Sequence, residues 1–452
     1  MFDDRDTIAA PATAAGGAVA LIRVSGGEAL PICDRIFRGR GRLADAAGYT
    51  VHFGRIVDGT RTVDEVLAAV FRAPHSYTGE DSVEISCHGS SYIVSEVLRL
   101  LTGAGARMAA PGEFTVRAYL AGKMDLSQAE AVADLVASSS RAAHALAINQ
   151  MRGGYSDALD ALRDRLLELV SLLELELDFS EEDVEFADRR AIRDTMREID
   201  CEIGRLCRSF ALGNALKEGV AVAIVGAPNV GKSTLLNRLL GEERALVSEI
   251  AGTTRDVIEE RLNIDGVTFR FLDTAGIRAT DDRLERMGIR RTLASIARAR
   301  IIIHMVDAAQ VAESGRVPEP EFPVAEGQTV LAVVNKCDTV RDLSLPGGVL
   351  ALSAREGRGI ASLCDALRGA VDTRALYHGD AVVSGVRHYE ALTEARVSLE
   401  RALEGLESQL PTDLLSEEIR AVIHSLGTIT GRGAIAPDEV LENIFSKFCI
   451  GK

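Results

Sequence analysis

One stretch limits the possible folds of this chain more than any other: AVAIVG at 221–226 runs directly into GAPNVGKST at 226–234. A short apolar run that ends in glycine reads as a buried strand, and the residues after Lys232 read as a helix. Gly226 and Gly231 let the backbone fold tightly so that its amides point at an anion, and the helix start adds positive potential there. Lys232 can reach the outer phosphates of a nucleotide, and the Ser233 hydroxyl is placed to ligate magnesium. Asn229, Val230, Gly231, Lys232, Ser233 and Thr234 form this cradle. A chance match is the bland alternative, and four companion motifs argue against it.

Those motifs follow in order: GTTRD (252–256), DTAG (273–276), NKCD (335–338) and SAR (353–355). Thr254 is the natural second magnesium hydroxyl, in a first switch that includes Ser248, Glu249, Ile250, Ala251, Gly252 and Thr253. Asp273 closes the strand FRFLD and is expected to hold magnesium through water. The Gly276 amide, beside Thr274 and Ala275, senses the last phosphate. Asn335 and Lys336 brace a base pocket in which a buried Asp338 accepts from N–H groups that guanine offers and adenine lacks. Backbone around Ser353 and Ala354, with Arg355 next, can meet the guanine carbonyl. The set predicts a guanine-nucleotide site that hydrolyses GTP. Ile277 follows DTAG where Ras-like proteins use glutamine to orient water, so another group must do that work. Asn229 reads two ways, as a turn residue or as an amide oxygen donor to a monovalent cation.

A length of 452 residues allows two or three domains, each with its own core. Aromatic content of 4% and a net charge of −16 argue against base-stacking platforms and non-specific wrapping of nucleic acid. Any RNA contact must therefore be a local patch or come from a partner. The seven cysteines are scattered without metal or Cys-x-x-Cys spacing, which predicts a reduced, cytoplasmic compartment. The uncharged stretch from Thr7 to Ile22 is too short to span a membrane and lacks the basic flank of a signal peptide. The terminal CIGK does not fit a prenylation box. The acidic run Glu181, Glu182, Asp183 and Glu185 lacks the glycine turn of a calcium loop and reads as a solvated segment.

The first ~120 residues alternate strand-like runs (18–26, 63–74, 82–89) with a helical pattern at 91–106. From Met124 to Leu216 the pattern is almost unbroken helix, with Leu159, Leu162, Leu166, Leu169, Leu173 and Leu177 at three- and four-residue intervals. Helical spacing returns from Val386. The nucleotide motifs lie between these blocks, so a nucleotide domain inserted into one helical domain is the simplest arrangement, and its two ends must lie close together.

Outside the centre, IRVSG (22–26), SYTGEDSVEISCHG (76–89), PGEFTVRAYLAGKMDLSQAEAVADL (111–135) and FCIGK (448–452) resemble the MnmE (TrmE) family of tRNA modification GTPases over essentially the whole chain. The resemblance implies an α/β plus all-α protein in three parts. These are an N-terminal α/β folate-binding and dimerisation domain at 1–120, a discontinuous helical domain at 121–216 and 380–452, and an inserted Ras-like P-loop GTPase domain at 217–379. It implies that potassium replaces an arginine finger when the two G domains of a homodimer close on GTP, with Asn229, Ser248, Ile250 and Thr253 as its ligands. The water-orienting role falls on Glu285 in DDRLER, whose plain reading is an exposed helix acid; Asp281 and Asp282 stand nearby. A tetrahydrofolate derivative would be held by Arg23, Glu80, Lys123 and Lys452, since arginine and lysine pair a glutamate tail and a carboxylate suits a pterin edge. Without the resemblance each of these four reads as a solvated surface charge. Cys449 reads as packing, or by the resemblance as a group near the modification site.

The implied function is a potassium-stimulated GTPase working with the FAD-bearing flavoprotein MnmG (GidA) in a heterotetramer or larger assembly. Together they would install a (carboxymethyl)aminomethyl group at carbon-5 of the wobble uridine of certain tRNAs, using a folate one-carbon unit. A ribosome-assembly or regulatory GTPase acting by binding shares GTTRD and DTAG, but would usually bring a basic RNA-binding module that nothing here resembles. A folate-binding protein whose GTP site gates uptake is the third reading.

Overall fold

The computed structural model describes residues 6–14, 16–178, 188–243, 259–272, 285–340, 343–373, 381–432, 441, 444, 445, 448 and 451; the side chains of 242–243 and 285–291 lie outside the description. The chain forms two compact units: Met1–Val136 with Gln150–Asp188 and Glu404–Lys452, and Ala137–Asn149 with Arg189–Leu403.

The first unit is built on a seven-stranded sheet. Its strands are β1 (Ile8–Pro11), β2 (Val19–Ser25), β3 (Phe37–Gly39), β4 (Thr50–Asp58), β5 (Arg61–Phe71), β6 (Ser82–His88) and β7 (Arg107–Met108), in the order β3-β4-β5-β6-β2-β1-β7. All neighbours are antiparallel except β1 and β7. The period of two decides which side is core. Ile22, Val24, Ile56, Val66, Ala68, Val83 and Ile85 pack under α1 (Ala29–Ile36) and α2 (Ser91–Gly103). Alternate residues Val51, Phe53 and Leu67 stay exposed on the other face. α3 (Glu113–Leu120) and α4 (Leu126–Ala137) follow, then α5 (Arg141–Met151), α6 (Gly154–Asp178) and α7 (Arg189–Glu218). Of the leucine stripe on α6, Leu159 to Leu173 are buried as expected, whereas Leu177, at the last turn of that helix, is exposed.

The second unit carries a six-stranded sheet. It comprises β8 (Val220–Gly226), β9 (Glu260–Ile264), β10 (Val267–Phe271), β11 (Ile301–Asp307), β12 (Thr329–Asn335) and β13 (Leu350–Ala351), ordered β13-β12-β11-β8-β10-β9. Only the β9–β10 hairpin is antiparallel, closed by Asp265 and Gly266, both at positive φ as its tight turn requires. β8 is buried on both faces. Val220, Val222 and Ile224 pack with Leu235, Leu236 and Leu239 of α8 (Lys232–Glu243), while Ala221 and Ala223 pack with Ile296 of α9 (Glu285–Arg298) and with Ala299 just after it. The remaining helices among the described residues are α10 (Ala308–Ser314), α11 (Ile360–Gly369), α12 (Val386–Glu407) and α13 (Thr412–Thr430). Where the chain leaves the sheet it returns to the helix that entered it: the Val383 N–H donates to Ser209 Oγ of α7 at 3.0 Å. Gly213 lies so close to the Val383 carbonyl that any Cβ there would overlap it.

Candidate functional site

In a parallel sheet, ligands bind beyond the carboxyl ends of the strands, where the chain departs in opposite directions. Here that point is β8, flanked by β10 on one side and β11 on the other. The loop after β8 is shaped by two close approaches. Gly226 has φ 159° and lies against the Met305 carbonyl of β11, so that an added Cβ would overlap it. At Gly231, φ is 104° and a Cβ would overlap Asn335 Nδ2. Asn229 is exposed with φ 60°, a left-handed turn conformation that asparagine tolerates. Lys232 opens α8 and folds back over the loop, donating to the carbonyls of Gly226 (2.7 Å) and Ala227 (3.0 Å). Burial lowers its pKa. Ser233 stands in the first turn of α8, and its hydroxyl has no partner among the described residues. An oxygen donor at a helix start, beside a lysine and aimed backbone amides, fits a magnesium–phosphate group.

The base-reading motifs converge on this loop. β11 and β12 run in register with Asp307 opposite Asn335. Asn335 is buried and bridges two loops: its Nδ2 donates to the Val230 carbonyl at 2.7 Å, and its Oδ1 accepts from the Ala354 N–H at 2.9 Å. Lys336, with φ 64°, pairs with Asp307 at 2.7 Å. Burial would raise the Asp307 pKa, but Lys336 and the Ala309 N–H hold it below its ordinary value. Asp338 departs from expectation. It is exposed rather than buried, because its position in the turn after β12 leaves one side open; a hydrogen bond with Ser353 lowers its pKa.

In the SAR loop the amides of Ser353, Ala354, Glu356 and Gly357 are all committed, to Arg358 O, Asn335 Oδ1, Ser353 Oγ and Ser353 O. The Arg355 N–H has no partner among the described residues. The Ala354 amide, expected to meet a base, is thus already engaged. Two residues that sequence reasoning missed complete the frame. Asp307 caps α10 through the Ala309 N–H at 3.0 Å. Arg238 of α8 donates to the carbonyls of Ala354 (3.3 Å) and Arg355 (2.5 Å). A strand-terminal Asp before an apolar helix was the available signal for the first. Nothing local marks the second. Ser248 to Thr254, Asp273 to Gly276, Ile277, Asp281 and Asp282 lie outside the described residues, as does the acidic run at 181–185; Glu285 opens α9, but its side chain is outside them too.

In the first unit, of the residues expected to hold folate, Arg23 lies on β2, Glu80 bonds to Ser25 of β2, and Lys123 stands beside Gly79. Arg23 pairs with Glu84 at 2.8 Å and lies over the rings of Tyr77 and Phe114. One of its nitrogens reaches the Gly451 carbonyl at 3.5 Å, which brings the end of the chain to this place. Glu80 accepts from Ser25 Oγ (2.7 Å) and pairs with Arg117 (3.1 Å). Lys123 donates to the Pro74 carbonyl (2.7 Å) and runs beside Gly79. Arg23 and Glu80 are not solvated surface charges: they sit in part-buried ion pairs, because the ring wall and α3 cover them. An arginine on an aromatic wall with a carboxylate close by fits a group that combines a ring with an acid. Cys449 and Lys452 lie outside the described residues. Beneath this place, fully buried Glu113 accepts from Arg107 (2.6 Å), Arg117 (3.2 Å) and the Ala110 N–H (2.7 Å). Burial would raise its pKa, and those bonds hold it below the ordinary value of 4.5.

Two family models match the chain. The family model described as "MnmE helical domain" matches residues 126–449, and that described as "GTP-binding protein TrmE N-terminus" matches 7–123. The chain belongs to the MnmE family of tRNA modification GTPases. A curated MnmE from Bacteroides thetaiotaomicron is 50% identical over 466 residues, with 99% of this chain and 100% of that protein covered. The MnmE of Cytophaga hutchinsonii is 48% identical, covering 99% and 98%. Among solved structures, Era from Aquifex aeolicus bound to GDP and aluminium fluoride is 25% identical over 39% of this chain and 65% of its own, with a TM-score of 0.24. No described helix is long and apolar enough to cross a membrane.

Proposed function

We propose that this GTP hydrolase of the MnmE family modifies carbon-5 of the wobble uridine of certain tRNAs, together with an FAD-bearing flavoprotein of the MnmG type. The observation that carries the GTP half is the Asn335 bridge, which ties the phosphate loop and the SAR loop into one frame. Ser233 and Thr254 would hold magnesium, which supplies charge neutralisation at the phosphates. Asn229, Ser248, Ile250 and Thr253 would hold potassium. Glu285 would orient water, Lys232 would hold the outer phosphates, and Asn335, Lys336 and Asp338 would read the base. Arg23, Glu80, Lys123 and Lys452 would hold a tetrahydrofolate derivative, a reading supported for Arg23 and Glu80 by their part-buried pairs beside β2. Cys449 would lie near the modification chemistry. The exposed apolar face carrying Val51, Phe53 and Leu67 supports a homodimer, since isolated chains seldom leave such a face uncovered. The three-part division at 1–120, 121–216 with 380–452, and 217–379 is proposed with it, supported by the contact of Ser209 and Gly213 with Val383.

The test is nucleoside analysis of total tRNA from cells with the gene deleted, with and without the restored gene. Loss and recovery of the modified wobble uridine is expected. Unchanged wobble uridines would reject the proposal in favour of a GTPase that acts by binding.

A further inference from the structure

We infer that Arg238 is a positioning residue for base recognition, aiming the Arg355 N–H at the carbonyl of a bound guanine. A peptide group is planar and trans, so fixing its C=O fixes its N–H in the opposite direction. Arg238 donates to the Ala354 carbonyl, whose own peptide carries the Arg355 N–H. Its second bond, to the Arg355 carbonyl, fixes the next peptide, whose N–H is spent on Ser353 Oγ. From the other side, Asn335 holds the Ala354 N–H. Three consecutive peptides are thus locked. The one amide left among Ser353 to Gly357 without a described partner is the one Arg238 orients. A charged guanidinium in a fork suits this task, since it holds two carbonyls with one rigid plane. Because Arg238 lies six residues after Lys232 on α8, the helix that starts at the phosphates also sets the base-reading donor.

This rests on the guanine reading above, and the experiment separates the two. Full-length wild type, Arg238→Ala and Arg238→Lys are titrated calorimetrically with GDP, 6-thio-GDP, IDP and ADP. Sulfur at position 6 is a poor acceptor, so the GDP to 6-thio-GDP ratio reads the Arg355 donor. IDP lacks the 2-amino group, so the GDP to IDP ratio reads the Asp338 carboxylate. Arg238→Ala is expected to lose roughly tenfold in GDP affinity, with 6-thio-GDP nearly unchanged and the GDP to IDP ratio preserved. Arg238→Lys, which keeps one donor head, should fall between. A uniform fall for every nucleotide, or no change, overturns the inference. If Arg238→Ala fails to fold, Arg238→Lys decides: a wild-type GDP to 6-thio-GDP ratio overturns it. Wild-type ADP binding equal to GDP would instead defeat the guanine reading itself.

Discussion

Replacing Gly231 by alanine adds one methyl group, yet it should disable the frame that joins phosphate loop to base pocket. The backbone there has φ 104°, which an L side chain adopts at a cost of about 1–3 kcal/mol. The new Cβ would also overlap Asn335 Nδ2 and push the amide away. Asn335 would lose its bonds to Val230 O and Ala354 N, and both groups would stay buried, at about 1 kcal/mol or more each. The total is about 4 kcal/mol. A double-mutant cycle separates the two parts. Asn335→Ala alone should cost about 3 kcal/mol, by loss of the same bonds and of the packing of the buried amide. If the methyl acts through Asn335, Gly231→Ala with Asn335→Ala should cost about 4–5 kcal/mol, not the about 7 expected from addition. Amide hydrogen exchange in β8 and β12 under graded urea reports this unit apart from the other. GDP affinity measured in parallel should fall with it. Strict additivity would refute the reasoning, because the glycine would then matter only for its own backbone.

Exchanging potassium for sodium should slow GTP turnover by at least tenfold if a cation neutralises developing charge; equal rates in both salts would remove Asn229 from catalysis. Glu285→Ala should lower kcat with nucleotide affinity kept, and loss of binding would make it structural. The Glu113 cluster sets an acid limit on the first unit. Its folded pKa lies below its unfolded value, so the stability it contributes is present above the ordinary value of 4.5 and is lost as pH falls through the lower folded value. Glu113→Gln should flatten that part of the acid-unfolding profile and cost about 3 kcal/mol at neutral pH, because Arg117 stays buried without full pairing. An unchanged acid midpoint would count against this account.

What the sequence determined unaided is local. A glycine between an apolar strand and a lysine-bearing helix permits one tight turn, and periods of two and 3.6 marked β2, β5, β6, α2 and most of α6. The order of GKST, NKCD and SAR named the nucleotide chemistry because each motif is contiguous in the chain. The tertiary structure decided what depends on residues far apart. Arg238 and Arg355 are 117 positions apart, and no local pattern says that one peptide plane is held by the other's guanidinium. The exposure of Asp338 and the pairing of Arg23 with Glu84 are of the same kind. Turn and helix preferences are energies of neighbouring residues, which a sequence displays. Burial and hydrogen-bond partners are energies of encounter, fixed only when the sheets bring distant segments together.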